Sequence, residues 1–188
     1  NVSPGGYVMD SVPGIHKNVI VLDFKSLYPS IIRTFNVDPL SLVCAEFVKS
    51  PIPGFDGGQF SRTQTILPKL IASLWSARDK AKADSNSVLS QAIKIIMNSF
   101  YGILGTTGCR FLDTRLVSSI TKRGHAVIIE SKQFIESEGF EVIYGDTDSV
   151  FVIVSGVANG EVQAIGEKLT VNINNWCTEK IRSEFGLK

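Results

Sequence analysis

The run Tyr144-Gly145-Asp146-Thr147-Asp148-Ser149 puts two carboxylates one residue apart at a tight turn between apolar segments. Val142-Ile143-Tyr144 leads in, and Val150-Phe151-Val152-Ile153-Val154 leads out. β-Branched and aromatic residues on both flanks predict a hairpin whose strands belong to a buried sheet. One Asp-Gly pair is ordinary turn chemistry. Two aspartates bracketing a turn at the mouth of an apolar sheet are less ordinary. Like charges that close repel unless something cationic neutralises them. Hard divalent metals prefer carboxylate oxygens, and a Mg²⁺ site of this kind points towards phosphate chemistry.

The rest of the chain supplies a frame for that hairpin. Val19-Ile20-Val21-Leu22 is a continuous apolar run ending at Asp23 and reads as a buried strand. Residues 26–36 predict a short helix, with Pro29 tolerated in its first turn. The Pro-, Gly- and Ser-rich segment 50–65 reads as a loop. Two helices follow, from Leu67 to about Lys82 and from about Val88 to Leu104, with a short turn between them. They predict an antiparallel helical hairpin. A third helix is expected from Thr114 to Glu138, capped by Asp113 and stopped by Gly139. A last amphipathic helix is expected over 160–185. The order predicts an α+β fold, a sheet domain with the helical hairpin inserted into it.

The bulk properties narrow the class. The chain has 188 residues, 44% of them hydrophobic, enough for one core with an inserted subdomain. No run of about 18 apolar residues is present, so no membrane span is expected. The opening Asn1-Val2-Ser3-Pro4 reads as a segment of a longer protein. Cys44, Cys109 and Cys177 are odd in number, lack CxxC spacing, and read as reduced thiols of a cytoplasmic protein. Net charge is +1, yet residues 61–130 carry ten Lys/Arg against four acids, while 131–188 carry five against nine. A basic middle beside an acidic end suits a protein that grips phosphates with one part and metal ions with another. Unevenly charged solvent faces would give the same count.

Three constellations carry chemistry. In Asp23-Phe24-Lys25-Ser26-Leu27-Tyr28-Pro29-Ser30 a carboxylate ends a strand just before a turn into a helix, where backbone N–H groups can receive phosphate. In Lys94-Ile95-Ile96-Met97-Asn98-Ser99-Phe100-Tyr101-Gly102 the helical period sets Gln91, Lys94, Asn98 and Tyr101 on one stripe. Leu89, Ile93, Ile96, Phe100 and Ile103 fall on the other side and are expected in the core. Arg78 and Lys82 stand one turn apart on the preceding helix, able to join Lys94 on a polyphosphate.

Taken in order, DFKSLYPSII, KIIMNSFYG and YGDTDS resemble motifs A, B and C of the family B DNA polymerases. The wider text SPGGYVMDS, SLYPSIIRTF, SARDKAK and FYGILGTTGCRF is similar to a bacterial branch of that family. The resemblance spans nearly the whole chain and thins after about residue 155. It implies an antiparallel-sheet, ferredoxin-like palm (residues 1–60 and 106–188) with an inserted two-helix antiparallel fingers hairpin (61–105). It implies two Mg²⁺ ions, replaceable by Mn²⁺, held by Asp23 and Asp148 with the carbonyl of Phe24, and Asp146 in a lesser role. Tyr28 matches the steric gate that excludes a 2′-OH. The amides of Lys25, Ser26 and Leu27 would receive the β- and γ-phosphates, and Arg78, Lys82, Lys94 and Asn98 would bind the triphosphate. Tyr101 and Gly102 would lie against the nascent base pair, and closure of the hairpin would check the match.

Gly124-His125 departs from the Gly-Arg of many members, which leaves Arg123 as the candidate for a DNA-backbone contact. The implied partners are primer–template DNA, dNTPs and, for a full-length protein, a sliding clamp, in a bacterial cytoplasm and at the nucleoid. The implied reaction is template-directed DNA synthesis in replication restart or repair. Two alternatives stay open. The segment by itself can be a metal- and nucleotide-binding module without activity. A cyclase-like nucleotidyl enzyme shares the carboxylate turn but leaves Lys94, Asn98 and Tyr101 unexplained.

Overall fold

Strand β1 (Val19–Asp23) leads into helices α1 (Leu27–Thr34) and α2 (Pro39–Cys44) and a short hairpin, β2 (Ile52–Pro53) and β3 (Gln59–Phe60). Three longer helices follow: α3 (Leu67–Ala83), α4 (Ser87–Leu104) and α5 (Thr114–Ser137). The hairpin β4 (Glu141–Asp146) and β5 (Ser149–Ile153) comes next, and α6 (Val162–Phe185) closes the order. This computed structural model describes residues 5–157 and 160–187; the opening 1–4 run lies outside them. The fold is α+β, with small antiparallel sheets of three and two strands. The described residues divide into two compact units, 26–123 and 5–25 with 124–187.

In the first unit α3 and α4 pack along each other as the expected helical hairpin, and α1 packs on both. The Asn86 side chain starts α4 by accepting the Leu89 N–H at 3.0 Å, the usual role of an N-cap. Asp38 does more. Its buried carboxylate accepts the Ser41 N–H of α2 at 3.0 Å and the Leu67 N–H of α3 at 2.7 Å. One side chain thus caps two helix starts. The 50–65 segment is not wholly irregular, since β2 and β3 pair within it, Ile52 with Phe60. The first half of α5 clamps that hairpin. Ser119 Oγ accepts the Phe55 N–H at 2.9 Å, and Lys122 meets Asp56 at 2.5 Å.

Helix α4 departs from the expected burial. Ser90, Ile93, Met97 and Leu104 are buried, while Leu89, Ile96 and Ile103 are 47%, 48% and 52% exposed. Only Ile93 of the expected core stripe is buried, with Phe100 half-buried. The helix carries more apolar surface than α1 and α3 cover, so one of its two apolar stripes faces outward. Part of it, Phe100 and Ile103, lines an apolar groove of about 540 Å³ with Leu40, Val43 and Ile66.

In the second unit the strand order is β1-β5-β4. Ile20 and Leu22 pair with Val152 and Val150. Helix α6 packs on β1, with buried Gly166 against Ile20, where an added Cβ would stand 3.2 Å from the Ile20 side chain. Phe134 of α5 stacks on Trp176 of α6, rings 5.0 Å apart and 19° from parallel. Strand β1 is not buried on both faces as its apolar run suggests, because Val21 is 52% exposed. Helix α6 covers one face of β1, which stands at the sheet edge, so Val21 on the other face stays open.

The segment before β1 adds an element that periodicity did not announce. Met9 N–H donates to the Gly145 carbonyl at 2.8 Å and Val12 N–H to the Ile143 carbonyl at 2.9 Å. Val8 bridges Asp146 in antiparallel register. This strap runs beside β4, and Gly145 leaves room for it: a Cβ there would stand 2.8 Å from Met9 Sδ.

Candidate active site

Three aspartates of the second unit, Asp23, Asp146 and Asp148, gather around Ser149. Strand pairing sets Ser149 opposite Asp23 on one side and opposite Asp146 on the other. Residues directly opposite in a sheet point to the same face. Asp23, Ser149 and Asp146 therefore form one row across three strands, with Asp148 in the adjoining turn. Ser149 Oγ donates to Asp23 Oδ1 at 3.0 Å. The Phe24 N–H donates to the Asp148 carbonyl at 2.8 Å, carrying the β1–β5 pairing past Asp23. Asp146 is exposed, and its Oδ1 accepts from Thr147 Oγ1 at 2.8 Å.

The charge pattern is unfavourable for the bare protein. Burial pushes the Asp148 carboxyl above the usual carboxylate range, the Asp23 charge pushes it further, and Asp146 adds to this. Hydrogen bonds from its own backbone and from Ser149 oppose the shift. A bound cation would remove that repulsion. Among the described residues no group of three or more His, Cys, Asp and Glu converges as a ready-made metal cage. The donor set is a pair of carboxylates with nearby carbonyls. That fits a hard cation which keeps water and substrate phosphate among its ligands, as Mg²⁺ does.

The turn itself is strained. Thr147 has φ of +52°, and it is the one β-branched residue among the six described non-glycine residues with positive φ. Such a conformation costs about 1–3 kcal/mol and persists only where the surroundings enforce it. Ser26 is another of the six, at +50°, and immediately precedes α1.

The first unit brings parts of motifs A and B together. Tyr28 of α1 and Tyr101 of α4 meet with ring centroids 4.8 Å apart at 52°. Burial raises the Tyr101 phenol above its ordinary pKa. Arg78 Nη1 reaches Ser26 Oγ at 3.5 Å, while its buried Nε has no partner. Leu27 is buried as the first residue of α1. Lys82, Lys94, Asn98 and Gly102 are exposed. The solvent-facing side of α4 thus offers one cation, Lys94, and two amides, Gln91 and Asn98, all exposed. Lys25, in the second unit, is exposed and follows Phe24 beside a cleft lined by Val21, Asp23 and Asn174.

Arg123 is engaged within its own unit. Its Nη2 donates to the Pro53 carbonyl at 3.0 Å, and its guanidinium lies 4.5 Å from the Phe35 ring centre and 5.0 Å from that of Phe55. Cation–π packing of this kind braces α1, the β2–β3 hairpin and α5. His125 bonds the Gly5 carbonyl through Nε2 at 2.7 Å and lies against Tyr7, ring centroids 5.6 Å apart. Sequence reasoning assigned no role to Ser149 or to the strap. Ser149 was legible as part of the turn, but its partner Asp23 is 126 residues away.

The sheet of the second unit carries the carboxylate row, and the helices of the first carry Arg78, Lys94, Asn98 and Tyr101. The family model described as DNA polymerase family B matches residues 3–186, and the chain belongs to that family. DNA polymerase II of Escherichia coli (strain K12) is 52% identical over 98% of this chain. The DNA polymerase of Archaeoglobus fulgidus is 32% identical over 88% of it. The DNA polymerase alpha catalytic subunit of Arabidopsis thaliana is 34% identical over 90%. The chain spans 24%, 22% and 12% of the lengths of these three relatives. No helix among the described residues is long and apolar enough to cross a membrane.

Proposed function

We propose that this chain is the catalytic palm and fingers part of a template-directed DNA polymerase, transferring deoxynucleotides to a primer 3′-OH. The observation that carries the reading is the row Asp23–Ser149–Asp146 with Asp148 in the adjoining turn. Asp23 and Asp148 would hold two Mg²⁺ ions, for which Mn²⁺ could substitute, with the Phe24 carbonyl and Asp146 as further oxygens. The chemistry supplied at these carboxylates by bound metal would be activation of the 3′-OH and stabilisation of charge on the leaving pyrophosphate. Ser149 orients Asp23 through the 3.0 Å bond.

In this reading the amides of Lys25, Ser26 and Leu27 receive the β- and γ-phosphates, and Arg78, Lys82, Lys94 and Asn98 bind the triphosphate. The unpartnered buried Nε of Arg78 supports it, since a buried guanidinium N–H without an acceptor is unfavourable until an anion arrives. Tyr28, braced by Tyr101, is the wall under the sugar. Tyr101 and Gly102 face the nascent base pair. Arg123 braces its unit through Pro53 and Phe35 and, in this reading, is also the candidate for a contact to the DNA backbone. The palm comprises 1–60 and 106–188 and the fingers 61–105. Primer–template DNA and dNTPs are the substrates. We read the protein's role as replication restart or repair in a bacterial cytoplasm, with a sliding clamp as partner of the full-length protein; what supports the polymerase part of this is the 52% identity to a protein named DNA polymerase II.

The test is Asp148→Ala in the full-length polymerase. Primer extension should fall by at least about 10³-fold, since the ligand serves charge stabilisation worth several kcal/mol. Retained extension would overturn the assignment. Because the chain spans about a quarter of its bacterial relative, a second reading is that the segment by itself binds metal and nucleotide without turnover. Templated extension by the isolated segment would reject it.

A further inference from the structure

The acidic turn is held in its strained form from outside the hairpin. Thr147, at φ +52°, donates its N–H to the Tyr7 carbonyl at 2.8 Å. Gly6 lies so close that a Cβ there would overlap Thr147 Oγ1 and stand 2.9 Å from its Cβ and Cγ2. Gly6 has no positive φ, so steric room at Thr147, rather than backbone freedom, demands a glycine there. Thr147 Oγ1 in turn donates to Asp146 Oδ1 at 2.8 Å. On the far side of Gly6, the Gly5 carbonyl can only accept, so His125 Nε2 carries the proton in their 2.7 Å bond. Tyr7 leans on the same imidazole. A path of contacts therefore runs from α5 through the strap to the turn that presents Asp146 and Asp148.

We infer that the strap Gly5–Met9, anchored by His125, is a positioning element for the metal-binding carboxylates. It selects the left-handed conformation of Thr147 and so sets where Asp148 points. Gly6 and His125 are positioning residues, since neither touches a reacting atom. The inference rests on the reading of Asp23 and Asp148 as metal ligands. A β-branched residue does not hold a positive φ unaided, and within a two-residue hairpin loop nothing else supplies the acceptor for its N–H. Without the strap, Thr147 relaxes towards negative φ and carries the neighbouring carboxylates with it.

The experiment is a double-mutant cycle in the full-length polymerase, with Gly6→Ala, Thr147→Gly and both together. Two quantities are read: Mn²⁺ affinity by electron paramagnetic resonance of the free ion, and kcat and KM for a single dNTP. Gly6→Ala should weaken Mn²⁺ binding and lower kcat by about 10–100-fold, the size of supporting-residue effects at metal sites, with KM for dNTP little changed. Thr147→Gly removes the overlapping side chain, and glycine tolerates φ +52°. Adding Gly6→Ala on that background should then change neither quantity. Wild-type behaviour of Gly6→Ala, or an undiminished loss in the Thr147→Gly background, would overturn the inference. His125→Ala, which introduces no clash, carries the same test should Gly6→Ala not fold. It should weaken Mn²⁺ binding in the same direction, and His125→Gln, which keeps an N–H donor, should recover part of it. If Asp148→Ala itself retains Mn²⁺ affinity and extension, the metal-ligand reading has failed. If Asp148→Ala is inactive while Gly6→Ala and His125→Ala match wild type, only the strap has failed.

Discussion

Ser149 Oγ donates a 3.0 Å hydrogen bond to Asp23 Oδ1, joining two positions 126 residues apart at the head of adjacent strands. The bond aims the Asp23 carboxylate along the same row as Asp146. Ser149→Ala in the full-length polymerase removes the donor and leaves both carboxylates in place. A neutral donor to a carboxylate contributes about 1–1.5 kcal/mol, so kcat should fall about 5–10-fold with KM for dNTP nearly unchanged. Ser149→Thr keeps the hydroxyl and should recover most of the loss. Steady-state single-nucleotide incorporation measures both, and a wild-type kcat for Ser149→Ala would remove Ser149 from the site.

Tyr28 and Tyr101 support each other ring against ring at 4.8 Å. Under the proposed function, Tyr28→Ala removes the wall under the sugar. The ratio of kcat/KM for dNTP over rNTP should drop by at least about 10-fold, the scale of discrimination that pocket shape alone supplies. Tyr101→Ala should lower the ratio in the same direction but less, because Tyr28 remains with one neighbour missing. Unchanged sugar selectivity in Tyr28→Ala would show that the ring does not face the ribose.

Asp38 caps two helices with one carboxylate, through the Ser41 and Leu67 N–H groups. Asp38→Ala leaves two buried donors without acceptors and should cost about 2–4 kcal/mol. Asp38→Asn has one acceptor oxygen and should fall between the two. Amide hydrogen exchange at Ser41 and Leu67 is the direct readout. Protection should drop at both amides in the Ala variant and mainly at one in the Asn variant.

Cys177 is held as a neutral thiol. Burial, then the Glu130 charge, pushes it up to about 11, with Lys180 opposing. Its folded pKa lies above the ordinary thiol value of 9.0, so the associated stability is fully present below that value. It is lost as pH rises from there through the folded pKa, because the unfolded thiol ionises first. The same shift predicts alkylation at pH 8 about 100-fold slower than in the unfolded chain, since the thiolate is the nucleophile. Mass spectrometry of iodoacetamide adducts, with and without urea, checks this. Equal rates in the two states would show the thiol to be open.

The parts of the fold that depend on near neighbours in sequence were legible from sequence. The helical hairpin α3–α4, the Asp113 start of α5 and the β4–β5 turn follow from caps, turn residues and period, and the structure has them within a few residues of expectation. The candidate chemistry was legible because Asp146 and Asp148 lie in one turn, and because Lys94, Asn98 and Tyr101 lie on one helix. Tertiary structure decided what those patterns meet. Periodicity marks an apolar stripe but does not say which neighbour covers it, so Leu89, Ile96 and Ile103 of α4 and Val21 of β1 are exposed. An arginine's charge does not reveal that Phe35, Phe55 and the Pro53 carbonyl will hold it, as they hold Arg123. A threonine in an acidic turn does not announce a left-handed backbone. That conformation is enforced by Gly6 and Tyr7, residues about 140 positions earlier that become neighbours only once the strap pairs with β4.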